Sequence, residues 1–200
     1  MRTGTRKTGR PIGFDREAAL EAAMLLFWER GFEGTSMADL THAMNLSASS
    51  IYAAFGEKQS LFSHAVNRYL ETRAQYATEA LAEPTLEKVI RALFNNTVAF
   101  LTGLGHPPTC MSLSGAMGCS IDAAPARNLM TEVRKANEVA IKNRLLQARK
   151  AGELSKEINV DDYTRYISML LAGLSIQTAN RSTKAELKRT AQLALKHLGY

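Results

Sequence analysis

The sequence predicts an all-α fold. Nearly every segment carries apolar residues at helical spacing, and no segment alternates apolar and polar residues as a half-buried strand would. Glycine and proline fall between the periodic segments, where they would interrupt helices. With 200 residues, 46% of them hydrophobic, the chain can bury a core without disulfides or metals. About nine helices are expected.

The first three helices have clear start and stop signals. A helix is predicted over residues 15–31, with one apolar stripe. Ser36 and Asp39 have the spacing of a capping box and predict the start of a second helix, which ends at Asn45, a residue that tolerates a left-handed backbone. Ser47 can cap a third, short helix. The remaining helices are predicted at 58–82, 85–101, 110–117, 125–151, 160–179 and 184–198.

The positive charge is concentrated at the N-terminus. The formal net charge is +6, and five basic side chains against one acidic side chain fall within residues 1–16. Residues 1–13 are rich in Thr and Gly and lack apolar anchors, so they are expected to form an arm that orders along a phosphate backbone. The alternative is a solvated terminus without a partner.

Several classes of protein are disfavoured. No apolar run reaches the length of a membrane span, and no hydrophobic signal-peptide region follows the basic start, so a cytoplasmic protein is expected. The two cysteines are then read as thiols. The four histidines are scattered, and no metal, phosphate-binding or nucleophile motif accompanies them, so neither an enzyme nor a cofactor is expected. A helical adaptor remains an alternative, although it leaves the basic arm unexplained.

The second and third helices are too short to be stable alone. They must therefore pack on the first helix through a shared core. The turn of residues 45–47, with Leu46 facing the core, leaves the outer side of the third helix exposed. This arrangement is typical of a helix-turn-helix, which presents its second helix to the DNA major groove.

Three segments carry a family resemblance. Gly31–Met37, Leu46 with Ser47, and Ile51–Phe62 resemble the TetR family of repressors in residue type and spacing, over about residues 14–62. Asn45 stands where the family commonly has glycine. The resemblance implies an N-terminal DNA-binding domain, a C-terminal helical domain for ligand binding and dimerisation, and a homodimer that leaves its operator when a small ligand or reactive electrophile acts on it.

The implied domains are the arm at 1–13, the helix-turn-helix domain at 14–58 and the helical domain at 59–200. By the same resemblance, the bases are faced by Ala38, Ala48, Ser49 and Ser50, and phosphates are held by Ser36, Tyr52 and Lys58. Lys58 also opens a helix, where a cation opposes the macrodipole, so binding explains its placement better than stability does. A solvated Lys58 and a core Tyr52 remain alternatives.

The third helix is poor in groups that read bases strongly. It offers alanine and serine rather than Arg, Asn or Gln, and these support only methyl contacts and single hydrogen bonds. We therefore expect the arm residues Arg6, Lys7 and Arg10, together with operator deformability, to carry a large share of the affinity.

In the C-terminal half, the resemblance assigns the dimer interface to the last two helices. Their apolar faces suit this role, with intramolecular core as the alternative. The predicted interface residues are Tyr163, Ile167, Leu170, Leu171, Leu174, Leu187, Ala191 and Leu195.

The central helices are apolar and suggest a site for a small, moderately hydrophobic ligand, although the same residues could be core. The candidates are Thr97, Phe100, Cys110, Met111, Met117, Met130 and Val133.

Cys110 is a candidate sensing thiol. The segment Pro107–Met111 resembles the Pro-x-Gly-Cys start of the sixth helix in a TetR subgroup of electrophile and acrylate regulators, with Thr109 in place of the glycine. Unpaired amides at a helix N-terminus stabilise a thiolate. Cys119 could act as a resolving thiol, although nine helical residues would separate the sulfurs by roughly 13 Å. The alternative is an inert, buried thiol. The inducer, the operator sequence and the choice between repression and activation stay open.

Overall fold

The computed structural model describes residues 13–116 and 120–200, and within these ranges the chain is all-helical, as predicted. Among the described residues none of the helices is both long and apolar enough to cross a membrane. Five residues of the predicted arm and sensing sites lie outside these ranges: Arg6, Lys7, Arg10, Met117 and Cys119. The helices are α1 (Arg16–Arg30), α2 (Met37–Met44), α3 (Ala48–Phe55), α4 (Lys58–Thr72), α5 (Gln75–Leu81), α6 (Leu86–Leu101), α7 (Met111–Ser114), α8 (Ala124–Lys150), α9 (Val160–Ala179) and α10 (Lys184–His197).

The first three helices begin and end where the sequence predicts. The Asp15 carboxylate accepts two backbone N–H groups at the start of α1. Ser36 and Asp39 form the predicted capping box at the start of α2. Asn45 closes α2 in the left-handed region, with φ 51° and ψ 45°, and the Ser47 hydroxyl caps α3. The helix-turn-helix is therefore encoded by local interactions that can be read directly from the sequence.

The prediction of one unbroken helix over residues 58–82 is wrong. The Tyr69 carbonyl accepts hydrogen bonds from both Arg73 N–H, at 2.8 Å, and Ala74 N–H, at 3.0 Å, so the turn holds an extra residue and α4 ends there. Neither glycine nor proline marks the break. A single-residue insertion of this kind kinks a helix without either. Beyond the kink, Tyr76 of α5 stacks on Phe100 of α6 with ring centroids 4.5 Å apart.

The core of the described residues consists of two clusters. The first joins α1–α4 to α7 and the start of α8, around Phe27, Trp28 and Phe62. The second lies among α5, α6, the rest of α8, α9 and α10, around Ile90 and Phe94. The end of α1 consequently packs against α7, far along the chain. The domain division at residue 58 stays a prediction.

Of the replacements for Asn45, only glycine should leave the free energy of unfolding unchanged. A side chain with a Cβ costs roughly 1–2 kcal/mol in the left-handed region unless it forms local hydrogen bonds, as Asn can. We expect Asn45→Ala to lower the free energy of unfolding by about 1 kcal/mol and Asn45→Gly to leave it nearly unchanged. Urea denaturation measures both variants. The control is Asn95→Ala, at an exposed position inside α6, which should not be destabilised; equal effects at the two sites would contradict the role of backbone strain.

Candidate nucleic-acid interface and sensing cavity

The outer side of α3 is exposed and carries only small or hydroxyl-bearing side chains. Ile51 and Phe55 hold the inner side of the helix in the first core cluster. The exposed residues of the outer side are Ala48, Ser49, Tyr52 and Ala53. Ser50 is half-buried beside them. The helix thus presents a narrow surface that can approach another molecule closely.

Three serines are tied together at the start of α3. Ser47 Oγ accepts the Ser50 N–H at 3.1 Å and lies 2.9 Å from Ser49 Oγ and 2.8 Å from Ser50 Oγ. One hydroxyl oxygen has a single proton and two lone pairs, so these contacts use its full hydrogen-bonding capacity. The hydroxyls of Ser49 and Ser50, both predicted to face bases, are therefore oriented before any ligand arrives.

The other predicted DNA-binding residues lie at the N-terminal ends of α2 and α4 and on α3. Ser36 and Ala38 are exposed at the start of α2, and the Tyr52 side chain is 48% exposed. Lys58 is the first residue of α4, and its Nζ lies 4.4 Å from the centroid of the Phe32 ring. This cation–π contact, which sequence spacing could not reveal, positions the ammonium group at the start of α4.

Ion pairs fasten α1 to α4. Arg68 bonds to both Glu17 and Glu21, and Arg73 Nη2 lies 2.6 Å from Glu21 Oε1. Burial alone raises the pKa of Glu21, but Arg73 and Arg68 outweigh it and hold the pKa below its ordinary value. The carboxylate of Glu21 is thus a charged link between the first helix of the helix-turn-helix and the helix that leads away from it.

A cavity of about 610 Å³ lies among α4, α5, α6, α7, α8 and α9. Much of its wall is apolar, from leucines of α4, α5, α6 and α9 and Ile141 of α8. Its polar wall groups include Tyr69, Tyr76, Thr97, Cys110, Ser112 and Ser175. Arg134, Glu138 and Arg165 add charged groups to the wall. A cavity of this volume with apolar, polar and charged wall groups has the features of a site for a small organic ligand.

The Cys110 thiol lies in the cavity wall within a cluster of hydroxyl groups. Its Sγ is 3.3 Å from the Tyr69 hydroxyl oxygen and 2.9 Å from Ser112 Oγ, and its backbone N–H donates to Ser175 Oγ at 2.9 Å. Burial raises the pKa of Tyr69 and of Tyr76, so both phenols stay protonated at neutral pH. Around the thiol the cavity therefore offers neutral hydrogen-bonding groups.

Two of the predicted sensing residues, Thr97 and Cys110, line this cavity, whereas the others among the described residues do not. Phe100 belongs to an aromatic stack beside the cavity, and Met111, Met130 and Val133 are buried in the first core cluster. The α7 helix is also shorter than the predicted 110–117, since it is a single turn that starts after Cys110. Such a turn aligns few peptide dipoles, which weakens the expected stabilisation of a thiolate.

Sequence reasoning missed the two cavity tyrosines and the residues from α9. The available signal for Tyr69 was its polar tip on an otherwise apolar helix face, since a buried tyrosine hydroxyl requires a partner. The α9 wall residues include Leu171 and Ser175. They lie far along the chain from the other wall residues, so spacing could not link them.

The exposed apolar face of α9 and α10 differs from the one predicted for an interface. Tyr163, Leu170 and Leu171 are half-buried against the second core cluster. Five of the predicted residues are buried within the protomer's own core: Ile167, Leu174, Leu187, Ala191 and Leu195. The large apolar side chains that remain exposed on these helices are Tyr166, Met169, Ile176 and Leu193. Both helices carry apolar residues on two sides, so helical periodicity did not distinguish the inner side from the outer.

Comparisons with known proteins agree on one family. Residues 19–65 match the sequence model of bacterial regulatory proteins of the tetR family. The chain is 28% identical over 190 residues to the HTH-type transcriptional repressor ComR of Escherichia coli, covering 94% of this chain and 90% of that protein. It is 30% identical over 162 residues to the uncharacterised HTH-type transcriptional regulator YezE of Bacillus subtilis, covering 80% of this chain and 84% of that protein.

A solved structure is similar over nearly the whole fold. It is a cysteine mutant of the TetR family transcriptional regulator CifR in complex with 26-base-pair double-strand operator DNA. The TM-score is 0.90 at 31% identity, and the match covers 94% of this chain and 98% of that chain. The similarity therefore includes the C-terminal helices as well as α1–α3.

The Glu21 carboxylate should stabilise the protein in a pH-dependent way. Because its pKa is lowered on folding, its contribution is fully present above the unfolded-state value near 4.5 and is lost as the pH falls through the folded-state pKa. Glu21→Gln should lower the free energy of unfolding by about 1–2 kcal/mol at pH 7, and the difference from the parent should shrink toward about pH 3. Urea titrations across this range provide the measurement. Exposed Glu79→Gln is the matched control; a constant Glu21→Gln deficit at every pH would rule out the charged link.

Proposed function

The chain belongs to the TetR family of bacterial transcriptional regulators, and on this premise we propose that it is a homodimeric repressor of the cytoplasm that binds operator DNA and is released by a small ligand. The observation that carries the proposal is the exposed side of α3, which lies beside the capped start of α2 and the start of α4 with Lys58. The match to the family's sequence model runs across all three helices. The relative ComR, which is named as a repressor, supports repression.

In the proposed complex, α3 enters the major groove. The operator bases contact Ala38 of α2 and Ala48, Ser49 and Ser50 of α3. The operator phosphates contact Ser36, Tyr52 and Lys58. Small side chains give weak direct readout, so Arg6, Lys7 and Arg10 supply much of the electrostatic affinity. The oriented serine hydroxyls reduce the entropy lost when α3 docks, because they need little rearrangement.

Dimerisation is proposed through the exposed faces of α9 and α10. Tyr166, Met169, Gly173 and Ile176 follow one another at intervals of three, four and three residues, which places them on one stripe of α9. A Cβ built on Gly173 meets nothing within 4 Å, so the stripe has an open, flat place where another helix could approach closely. Exposed Leu193 of α10 extends the apolar surface. A two-fold axis through these helices would present two copies of α3 to one operator.

Release is proposed to start in the cavity. A noncovalent ligand can fill it, or the Cys110 thiol can add to an activated double bond. In the addition, sulfur bonds to the β-carbon and the thiol proton ends on the α-carbon, so no further reactant is needed. Either event enlarges the contents of a cavity whose wall includes α4, the helix that follows the helix-turn-helix.

The phosphate contact of Lys58 should be visible in the salt dependence of binding. Lys58→Met keeps an unbranched side chain at this position and removes the charge, so operator affinity should fall several-fold. The slope of log affinity against log salt should become shallower by about the contribution of one phosphate contact. Tyr52→Phe should weaken binding without changing that slope, and deletion of residues 1–10 should flatten it further. Fluorescence anisotropy with the DNA directly upstream of the coding sequence measures all three. Exposed Lys88→Ala has the same charge change outside the interface; an equal effect there would contradict the assignment.

Charged residues on the α9 stripe should dissociate the dimer. Met169→Glu and Ile176→Glu place carboxylates at exposed apolar positions, so each protomer should keep its fold while the mass measured by light scattering halves. Operator affinity should fall with it. Leu104→Glu, at a loop leucine that is 96% exposed, is the matched control and should stay dimeric. A wild-type monomer that binds the operator tightly would exclude the dimer model.

Cys110 should decide whether the signal is covalent. A mild thiol reagent, or a small unsaturated acid or aldehyde, should release the parent from its operator, and Cys110→Ser should retain DNA under the same treatment. Mass spectrometry identifies the modified residue, and Cys119→Ser serves as the matched control. Release of Cys110→Ser to the same extent as the parent would make the thiol structural and leave a noncovalent ligand as the signal.

A further inference from the structure

The segment of residues 109–115, which contains Cys110 and α7, is hydrogen-bonded to the end of α1 at three places. Trp28 Nε1 donates to the Thr109 carbonyl at 3.0 Å. Ser114 Oγ lies 3.3 Å from the Trp28 carbonyl oxygen and 3.2 Å from the Cys110 carbonyl oxygen, so its one proton is shared between these two acceptors. The Phe32 N–H donates to the Gly115 carbonyl at 2.8 Å. A stretch of chain that carries a cavity-wall residue is thereby fixed to the first helix of the helix-turn-helix.

Trp28 also belongs to a stack of near-parallel rings that reaches the cavity. Its ring centroid lies 4.9 Å from that of His106 and 5.7 Å from that of Phe100, with interplanar angles of 6° and 14°. Phe100 in turn stacks on Tyr76 at 4.5 Å, and the Trp28 ring meets Tyr69 edge-on at 4.9 Å. Tyr69 and Tyr76 are both in the cavity wall. The indole therefore contacts one wall residue directly and a second through one intervening ring.

The loop histidine holds its place in this stack through its own hydrogen bond. His106 Nδ1 lies 2.9 Å from the Pro107 carbonyl oxygen, which can only accept, so Nδ1 carries the proton in this contact. A Cβ at Gly103 would come within 3.1 Å of His106 Nε2, which leaves little space for the ring to move. The loop between α6 and α7 is thus held in a defined position against Trp28.

The same turn of α1 contacts the start of α2. Arg30, two residues beyond Trp28, pairs with Asp39 at 3.1 Å. Asp39 is the residue that completes the capping box with Ser36, a proposed phosphate contact. A displacement of the end of α1 is consequently transmitted to the proposed DNA-binding surface through the Arg30–Asp39 ion pair and the capping box of Ser36 and Asp39.

We propose that Trp28 is the positioning residue that couples occupancy of the cavity to the orientation of the helix-turn-helix. This inference rests on the proposed function and deepens it. An adduct on Cys110, or a ligand that displaces Tyr69 and Tyr76, moves the Thr109 carbonyl or the ring stack. Trp28 is fully buried, so water cannot replace the Thr109 carbonyl as the acceptor for the indole N–H without a cost in free energy. The end of α1 therefore moves with the segment. Coupling through α4 alone is the competing route.

The test compares operator release by the parent and by variants of the stack. In a Cys119→Ser background, N-ethylmaleimide is added until mass spectrometry shows one adduct on Cys110, and operator affinity is measured by anisotropy before and after. The parent adduct should bind at least about tenfold more weakly, within the usual range of allosteric coupling. Trp28→Phe keeps a ring but removes the donor, and its adduct should lose less than about threefold. His106→Ala, which removes one ring of the stack and leaves the indole in place, should likewise uncouple the sites.

Two further measurements separate coupling from instability. Phe94→Leu removes a buried ring of the second core cluster that is not one of the stacked rings. The Phe94→Leu adduct should release DNA as the parent adduct does. Trp28 is the single tryptophan of the chain, so its emission spectrum should shift when the parent is modified. Trp28→Phe and His106→Ala adducts that release DNA like the parent adduct would overturn the role of Trp28 and favour the α4 route. If the parent adduct binds the operator with full affinity, both the role of Trp28 and release through Cys110 are wrong. If the unmodified parent does not bind DNA, the proposed function itself is wrong.

Discussion

The attachment of the α1 terminus to the segment of residues 109–115 is the constraint on which the rest of the structure depends. Trp28 supplies the buried donor of that attachment, and its ring also stacks on His106 of the preceding loop and meets Tyr69 of α4 at a steep angle. Without the attachment, the helix-turn-helix would be joined to the later helices chiefly through α4, which forms ion pairs with α1 and packs on α8. With it, α1 provides a second connection, beside α4, between the cavity and the proposed DNA-binding surface, and the proposed release by a ligand would act through such a connection.

The parts of the fold that the sequence predicts are those set by interactions within a few residues. The caps at Asp15, Ser36 and Ser47 and the left-handed Asn45 depend on a side chain and a backbone group in the same turn. Their residue types therefore carry the signal directly. The family resemblance over residues 14–62 has the same origin, because the helix-turn-helix is built from such local signals, and it implied which exposed positions would face DNA.

The parts that could not be predicted depend on contacts between distant residues. No glycine or proline marks the kink after Tyr69. The kink accompanies the stacking of Tyr76 on Phe100, a contact between two helices that the sequence pattern does not show. His106 is one of the four scattered histidines, yet it stacks on Trp28, 78 positions earlier in the chain. The resemblance implied a dimer face that includes Ile167, whereas Ile167 is buried in the protomer's own core and α9 carries a second, exposed apolar side. In each case the residue type was right for two environments, and only packing distinguishes them.

Hydrogen–deuterium exchange at the end of α1 tests this account most directly. The Phe32 amide is bonded to the Gly115 carbonyl, so its protection reports whether the segment of residues 109–115 stays attached. Because the end of α1 is proposed to move together with the segment of residues 109–115, we expect modification of Cys110 to weaken operator binding while the Phe32 amide stays protected. Loss of protection at the Phe32 amide on modification would show that the segment detaches from α1, and it would contradict the proposed coupling.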